Sequence, residues 1–205
     1  MPGSGRPLDF WFSIGSTYTY LSVIRLPALA AAAGIAVRWR PFSVRRIMRE
    51  MDNRFLAGKP EKYAYMWRDI ARRAAASGIR ANAPVPHPLA EFDLANRVAV
   101  LGMQEGWGER YVQGTFRRWF EDRTEPGRDP NLGETLAELG LDAAAVVARA
   151  NDAAIIAAYD AATDEARALG IFGSPNFVVD GSELFWGDDR LEQALRWHAQ
   201  GGAVA

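Results

Sequence analysis

Leu8–Ile14 (LDFWFSI) alternates in polarity and is rich in aromatics, the period-two pattern of a strand. Gly15-Ser16-Thr17 follows as a turn. Tyr18–Ala33 then spaces Leu21, Ile24, Leu29 and Ala32 as a helix does. Pro27 is expected to bend that helix, and Gly34 to stop it at the C′ position. Ile35–Pro41 (IAVRWRP) reads as a second strand. Strand, helix and strand in about 35 residues make a βαβ unit, whose two strands should be parallel with a right-handed crossover.

From about Ser43 to Leu169 the pattern is helical, with no convincing strand. Helices are predicted over Tyr63–Ala76, Leu89–Gln104, Glu109–Asp122, Asn131–Leu139, Asp142–Ala150 and Asp152–Leu169. Asp142 and Asp152 are good N-caps, and Ala81–Pro88 (ANAPVPHP) is an extended, proline-set loop. Asn176–Asp180 and Glu183–Trp186, separated by a Gly-Ser turn, carry a hairpin signature. Arg190–Ala199 closes the chain as a helix. The frame is α/β, in the order βαβ…αββα, with residues 1–45 and 160–205 in one unit and 46–159 as a large all-helical insertion.

Composition narrows the function. The 205 residues carry 24 Lys+Arg against 25 Asp+Glu, a formal net charge of −1, and 49% are hydrophobic. Core material is ample for one soluble domain with an insertion. A near-zero charge argues against a general nucleic-acid binder, which needs a basic face to displace counterions. The cysteine count is zero, which removes disulfides, thiolate metal sites and any cysteine nucleophile. No apolar run approaches the ~20 residues of a membrane helix, and Met1–Pro7 is too short and polar for a signal peptide. The expected compartment is the cytoplasm.

Three segments at strand ends could carry chemistry, because open α/β sheets bind ligands there. Ser16 precedes the first helix, where free N–H groups and the helix dipole favour an anion, although local sequence by itself favours an ordinary N-cap. No G-x-S-x-G elbow supports a serine hydrolase. His87 and His198, the two histidines, are expected as loop or surface residues rather than bases. Ser174-Pro175 precedes a strand; a cis bond there would leave Ser174 able to pair with an extended, peptide-like ligand. Asp188-Asp189 follow Gly187 and precede a helix, so they either cap it or take the ammonium of a zwitterion.

Together these segments resemble the thioredoxin-like, DsbA-type family of 2-hydroxychromene-2-carboxylate isomerases and kappa-class glutathione transferases. Ser16-Thr17-Tyr18-Thr19-Tyr20-Leu21 is similar to that family's Ser-Pro-Tyr-Ser-Tyr-Leu signature. Arg40-Pro41, Ile47-Met48, Asn53, Lys62, Tyr65-Met66, Phe172–Pro175 and Phe185–Leu191 continue the likeness, which spans about Leu8 to Trp197. The resemblance implies a thioredoxin-like fold split by helices, and glutathione as cofactor. It implies that Ser16 bonds the glutathione sulfur. Ser174 would pair its backbone with the cysteinyl unit, with Pro175 cis. Asp188 and Asp189 would hold the γ-glutamyl end, and Asn53 and Lys62 would lie between cofactor and substrate. Thr17 stands where the family usually has proline, and Ser13 where an acidic residue is common.

The implied reaction is a cis–trans isomerisation through a transient glutathione thiolate adduct, on an aromatic α-keto acid. Arg45, Arg46, Arg49 and Arg54 are candidates to hold the substrate carboxylate, or simply a solvated basic face. A glutathione transferase and a non-catalytic thioredoxin-like binding protein are the alternatives. The resemblance also suggests a homodimer, to which Phe116, Trp119 and Phe120 would contribute if they are not core.

Overall fold

In the computed structural model, residues 6–53 and 58–201 are described. β1 (Leu8–Phe12) is buried along its whole length. It pairs in parallel with β2 (Val37–Pro41) and antiparallel with β3 (Asn176–Val179), which pairs antiparallel with β4 (Glu183–Trp186). The sheet order is therefore β2-β1-β3-β4. The alternating polarity of β1 does not mark an exposed face, because the strand is central and covered on both sides. Its one charged residue, Asp9, is 7% exposed and takes Arg38 Nε at 2.5 Å and Nη2 at 2.6 Å, which compensates for burying a carboxylate. Phe10 stacks on Phe177 at 5.3 Å and meets Trp39 edge-on at 4.9 Å, locking three strands together.

α1 (Thr19–Ala33) joins β1 to β2 and runs through Pro27 without ending; Gly34 then takes a left-handed φ of 64° and closes it. Between β2 and β3 lie α2 (Val44–Glu50), α3 (Pro60–Ala76), α4 (Phe92–Glu105), α5 (Gly108–Arg117), α6 (Asn131–Glu138), α7 (Ala143–Ala150) and α8 (Ala153–Ala168). α9 (Leu191–Ala199) follows a short 3-10 turn at Asp188–Arg190 and packs on β3 and α1.

Several sequence expectations need adjustment. The predicted helix over 109–122 is α5 followed by a π-helical turn, Arg118–Asp122, that ends at Arg123 with φ 61°. Asp142 caps Ala145 at 2.7 Å, whereas Asp152 occupies its N-cap position without a side-chain cap bond. α2 falls where no individual helix is predicted: Ser43 caps it by accepting from the Arg46 amide. The boundaries at 45/46 and 159/160 cut through α2 and α8, and one continuous hydrophobic core crosses both. The helices are thus part of the same packing unit as the sheet. Phe116, Trp119 and Phe120 are fully buried, with Phe120 stacked on Tyr20 at 4.2 Å, so they serve the core. Among the described residues no helix is long and apolar enough to cross a membrane.

Candidate functional site

The β1 ladder ends at Phe12, and the chain then turns sharply toward α1. Ser13 is buried; its hydroxyl donates to the Phe42 carbonyl and accepts from the Val44 amide at 2.9 Å. It clips the exit of β1 to the start of α2 and is not among the cavity-lining residues. Gly15 has φ 115°, a conformation that side-chain-bearing residues rarely adopt, and a Cβ there would come within 2.6 Å of the Phe92 ring. Ser16 stands three residues before α1, not on it; its carbonyl accepts from the Thr19 amide at 3.2 Å in a tight lead-in turn. The amides of Thr17 and Tyr18 find no acceptor among the described residues. They point the helix N-terminus at whatever lies beside Ser16.

The second strand-end segment meets the first. The Ser16 hydroxyl donates to the Ser174 carbonyl at 2.7 Å. The Ser174 hydroxyl accepts from the Ser13 amide at 3.0 Å and lies 2.9 Å from Thr19 Oγ1. The Ser174–Pro175 bond is cis, and the Pro175 carbonyl accepts from the Gly187 amide at 2.9 Å. The Ser174 N–H has no acceptor among the described residues. Two loops far apart in sequence therefore share one polar junction.

That junction opens into a cavity of about 610 Å³. Its floor is Gly15 to Tyr18 and Gly173-Ser174; Phe172 and Trp186 form one wall, with rings 4.9 Å apart. α2 forms the opposite wall with Val44, Arg45, Met48 and Arg49, and Asn53, His87, Pro88 and Phe92 complete it. Arg45 lies over the Phe92 ring at 4.1 Å and donates to the Leu89 carbonyl at 3.0 Å. Neither Arg45 nor Arg49 forms an ion pair among the described residues. Burial lowers the Arg45 guanidinium from its ordinary pKa, but a guanidinium stays charged near neutrality. His87 is a cavity-wall residue rather than a surface one; burial, aided by Arg45, lowers its pKa to about 4, so it is neutral at pH 7. His198 is buried too, with Nε2 2.8 Å from the Arg6 carbonyl, and is outside the cavity-lining set. Tyr18 donates to Asp69 Oδ2 at 3.0 Å, and burial together with that carboxylate raises its pKa.

The structure separates the predicted site residues. Ser16, Ser174 and Asn53 line the cavity. Pro175 is buried, next in the chain to the cavity-lining Ser174. Lys62 is exposed on α3, outside the cavity-lining set. Asp188 is 2% exposed and engaged internally: Arg73 Nη2 lies 2.6 Å from Oδ2, and Ser22 donates to Oδ1 at 3.2 Å. Arg25 adds a contact at 3.4 Å. Burial raises the Asp188 pKa while Arg25 and Arg73 pull it down. Asp189 is half exposed and outside the cavity-lining set; among the described residues its ion pair is with its neighbour Arg190 at 3.3 Å. Among the arginines, Arg45 and Arg49 face the cavity, Arg46 is tied to Asp160 and Asp164, and Arg54 lies outside the described residues. Sequence patterns assign no site role to Asn96, Thr19 or Phe92, which the structure brings to this junction. The available signal for Asn96 was one amide at helical spacing between the apolar Phe92, four residues before it, and Val100, four after it.

A mixed four-stranded sheet, a Ser-Pro segment facing the start of α1, and helices inserted between β2 and β3 define a thioredoxin-type α/β protein. Residues 7–196 match the DSBA-like thioredoxin domain, and the chain belongs to that family. It is 26% identical to the 2-hydroxychromene-2-carboxylate isomerase of Sphingobium xenophagum, over 91% of this chain and 95% of that one. The protein of that name from Pseudomonas putida is 25% identical, with 90% of each chain covered. A solved 2-hydroxychromene-2-carboxylate isomerase superposes with a TM-score of 0.81 at 25% identity, covering 92% of both chains.

Proposed function

We propose that this chain is a glutathione-dependent isomerase acting on an aromatic keto carboxylate of the 2-hydroxychromene-2-carboxylate type. The observation that carries the reading is the Ser16–Ser174 junction in a cavity also lined by Arg45 and Arg49, which form no ion pair among the described residues. The residues present fit the tripeptide. A backbone carbonyl and N–H at Ser174 are suited to an extended peptide unit, and about 610 Å³ falls within the ~300–1,000 Å³ of small-molecule sites. When bound, glutathione would supply the sulfur nucleophile that a chain without cysteine lacks.

The protein's own residues supply the field around that sulfur. The Ser16 hydroxyl and the amides at the start of α1 stabilise negative charge in front of the helix. A hydrogen bond to a charged acceptor contributes ~1.5–3 kcal/mol, enough to shift a thiol from ~8.5 by about one to two pH units. Ser174 aligns the peptide backbone through its carbonyl and N–H. Of the two aspartates, Asp189 is the exposed one and the one we assign to the γ-glutamyl ammonium, whereas Asp188 is committed to Arg25, Arg73 and Ser22. Arg45 and Arg49 hold the substrate carboxylate, and Phe172, Trp186 and Phe92 give an aromatic ring apolar walls. Asn53 offers a polar contact between the two ligands.

The test is to incubate the protein with glutathione and 2-hydroxychromene-2-carboxylate, and to follow both absorbance and product mass. Glutathione-dependent conversion to an isomer of unchanged mass supports the proposal. A stable product heavier by one glutathione makes it a transferase. No binding of glutathione by calorimetry up to millimolar overturns it in favour of a binding protein.

A further inference from the structure

We propose that Asn96, seconded by Phe92 one turn before it, is the positioning residue for Ser16. Asn96 is fully buried on α4, yet it makes three hydrogen bonds. Its Oδ1 accepts from the Ile14 amide at 2.8 Å. Its Nδ2 donates to the Ile14 carbonyl at 2.9 Å and to the Phe92 carbonyl at 2.8 Å. Both donors are used, as burial of an amide demands.

The target of this pairing is specific. The β1 ladder stops at Phe12, so Ile14 has no strand partner. Asn96 presents one acceptor and one donor to a single residue, as a neighbouring strand would. Both peptide planes flanking Ile14 are thereby fixed, and Ser16 follows two residues on. Phe92 and Asn96 share one face of α4, four residues apart. Phe92 presses on Gly15, where a Cβ would come within 2.6 Å of the ring. The clamp therefore grips the turn at Ile14 and Gly15. It belongs to α4, so an inserted helix fixes the turn that carries the Ser16 hydroxyl, while the β1–β3 pairing brings Ser174 beside it.

The test compares Asn96→Leu and Asn96→Asp with Asn131→Leu. Asn131 is an equally buried helical asparagine bonded to Thr115 and Thr124, away from the cavity-lining set. Hydrogen exchange is read without ligand at the Ser16 and Thr19 amides, whose bonds to Ser13 and Ser16 do not involve Asn96. Asn96→Leu should speed both by about tenfold or more while the central β1 amides keep their protection. Asn96→Asp, which retains an acceptor for Ile14, should fall between, and Asn131→Leu should leave both unchanged. Unchanged exchange at Ser16 in Asn96→Leu overturns the proposal, as does equal acceleration in Asn131→Leu. If Asn96→Leu does not fold, Phe92→Leu relaxes the same clamp and must show the same acceleration at Ser16.

A second measurement rests on the glutathione reading: the pH midpoint of bound thiolate absorbance. It should rise by about one unit in Asn96→Leu and stay fixed in Asn131→Leu. A faster Ser16 amide with an unmoved midpoint denies Asn96 its role at the site. If the wild-type protein binds no glutathione, the proposed function falls, while the exchange at Ser16 still decides whether Asn96 holds the loop.

Discussion

The Ser16 hydroxyl donates to the Ser174 carbonyl at 2.7 Å, although 158 positions separate the two residues. Each group thereby satisfies the other where two strand-end loops meet. The pairing also sets the terms for a ligand. Anything that takes the Ser16 proton must also offer the Ser174 carbonyl a new donor, or leave it unpaired. A peptide-like thiol offers both groups: an anion for Ser16 and an amide N–H for Ser174.

Replacing Ser16 by Ala removes one donor to a developing anion. Glutathione-dependent turnover at pH 7 should fall by about tenfold or more. Ser16 is only half-buried, so the change in unfolding free energy should stay near 0.5 kcal/mol, as is usual for such sites. Steady-state kinetics alongside urea denaturation checks both. Turnover equal to wild type would count against the role.

Asp188 and Asp189 are adjacent but should respond oppositely. Asp188 is buried between Arg25 and Arg73, so Asp188→Ala removes their shared internal partner, leaves them only Glu192 and Asp69 among the described residues, and should cost about 2 kcal/mol of stability. Asp189 is half exposed, and Asp189→Asn should leave stability within about 0.5 kcal/mol. Its effect should appear in glutathione affinity, weakened about tenfold by loss of a charged partner. Calorimetric titration and thermal melts on both variants distinguish the two roles.

Arg45 should govern affinity for the substrate carboxylate. Its guanidinium lies on the Phe92 ring without an ion-pair partner among the described residues. Arg45→Leu should raise KM for the carboxylate substrate about tenfold to a hundredfold, with glutathione affinity unchanged. A methyl ester of the same substrate should be insensitive to the substitution. Equal losses for acid and ester would assign Arg45 to packing instead.

His87 gives a pH signature. Burial and Arg45 hold its pKa near 4 in the folded chain, against 6.5 ordinarily. The unfolded chain then binds more protons between those values, so the stabilisation is present above pH 6.5 and is lost as pH falls toward 4. Between pH 7 and pH 4 the wild-type protein should lose on the order of 2–3 kcal/mol that His87→Gln does not lose. Urea denaturation of both proteins at several pH values reads the difference directly, and parallel curves would exclude it.

Much of this was legible in the chain. The period-two run at Leu8–Ile14, the helix ended by Gly34, and the Asn176–Trp186 hairpin state the frame locally, because strand alternation, capping and turn chemistry are local preferences. Ser16, Ser174 and Asn53, candidates from the sequence motifs, line one cavity. Asp188 could not be told from Asp189. Both follow Gly187, and only the positions of Arg25 on α1 and Arg73 on α3 show that one carboxylate is internal. α2 escaped because seven residues beginning Val-Arg-Arg span barely two turns, too few for a helical period to stand out. Its stability comes from its Ser43 cap and from packing on α8, both visible only in three dimensions.

The sequence alone determined the order of strands and helices, the lack of a protein thiol, and the presence of a serine just ahead of the first helix. These follow from spacing and composition, which a chain carries whatever its partners. Tertiary structure decided which polar groups face one another. Ser16 met Ser174 because β1 and β3 are neighbours in the sheet, and Asn96 met Ile14 because α4 folds back over the end of β1. Hydrogen bonds fall off within an ångström or so of their ideal length, so contacts between residues 82 or 158 positions apart exist only once the core has packed.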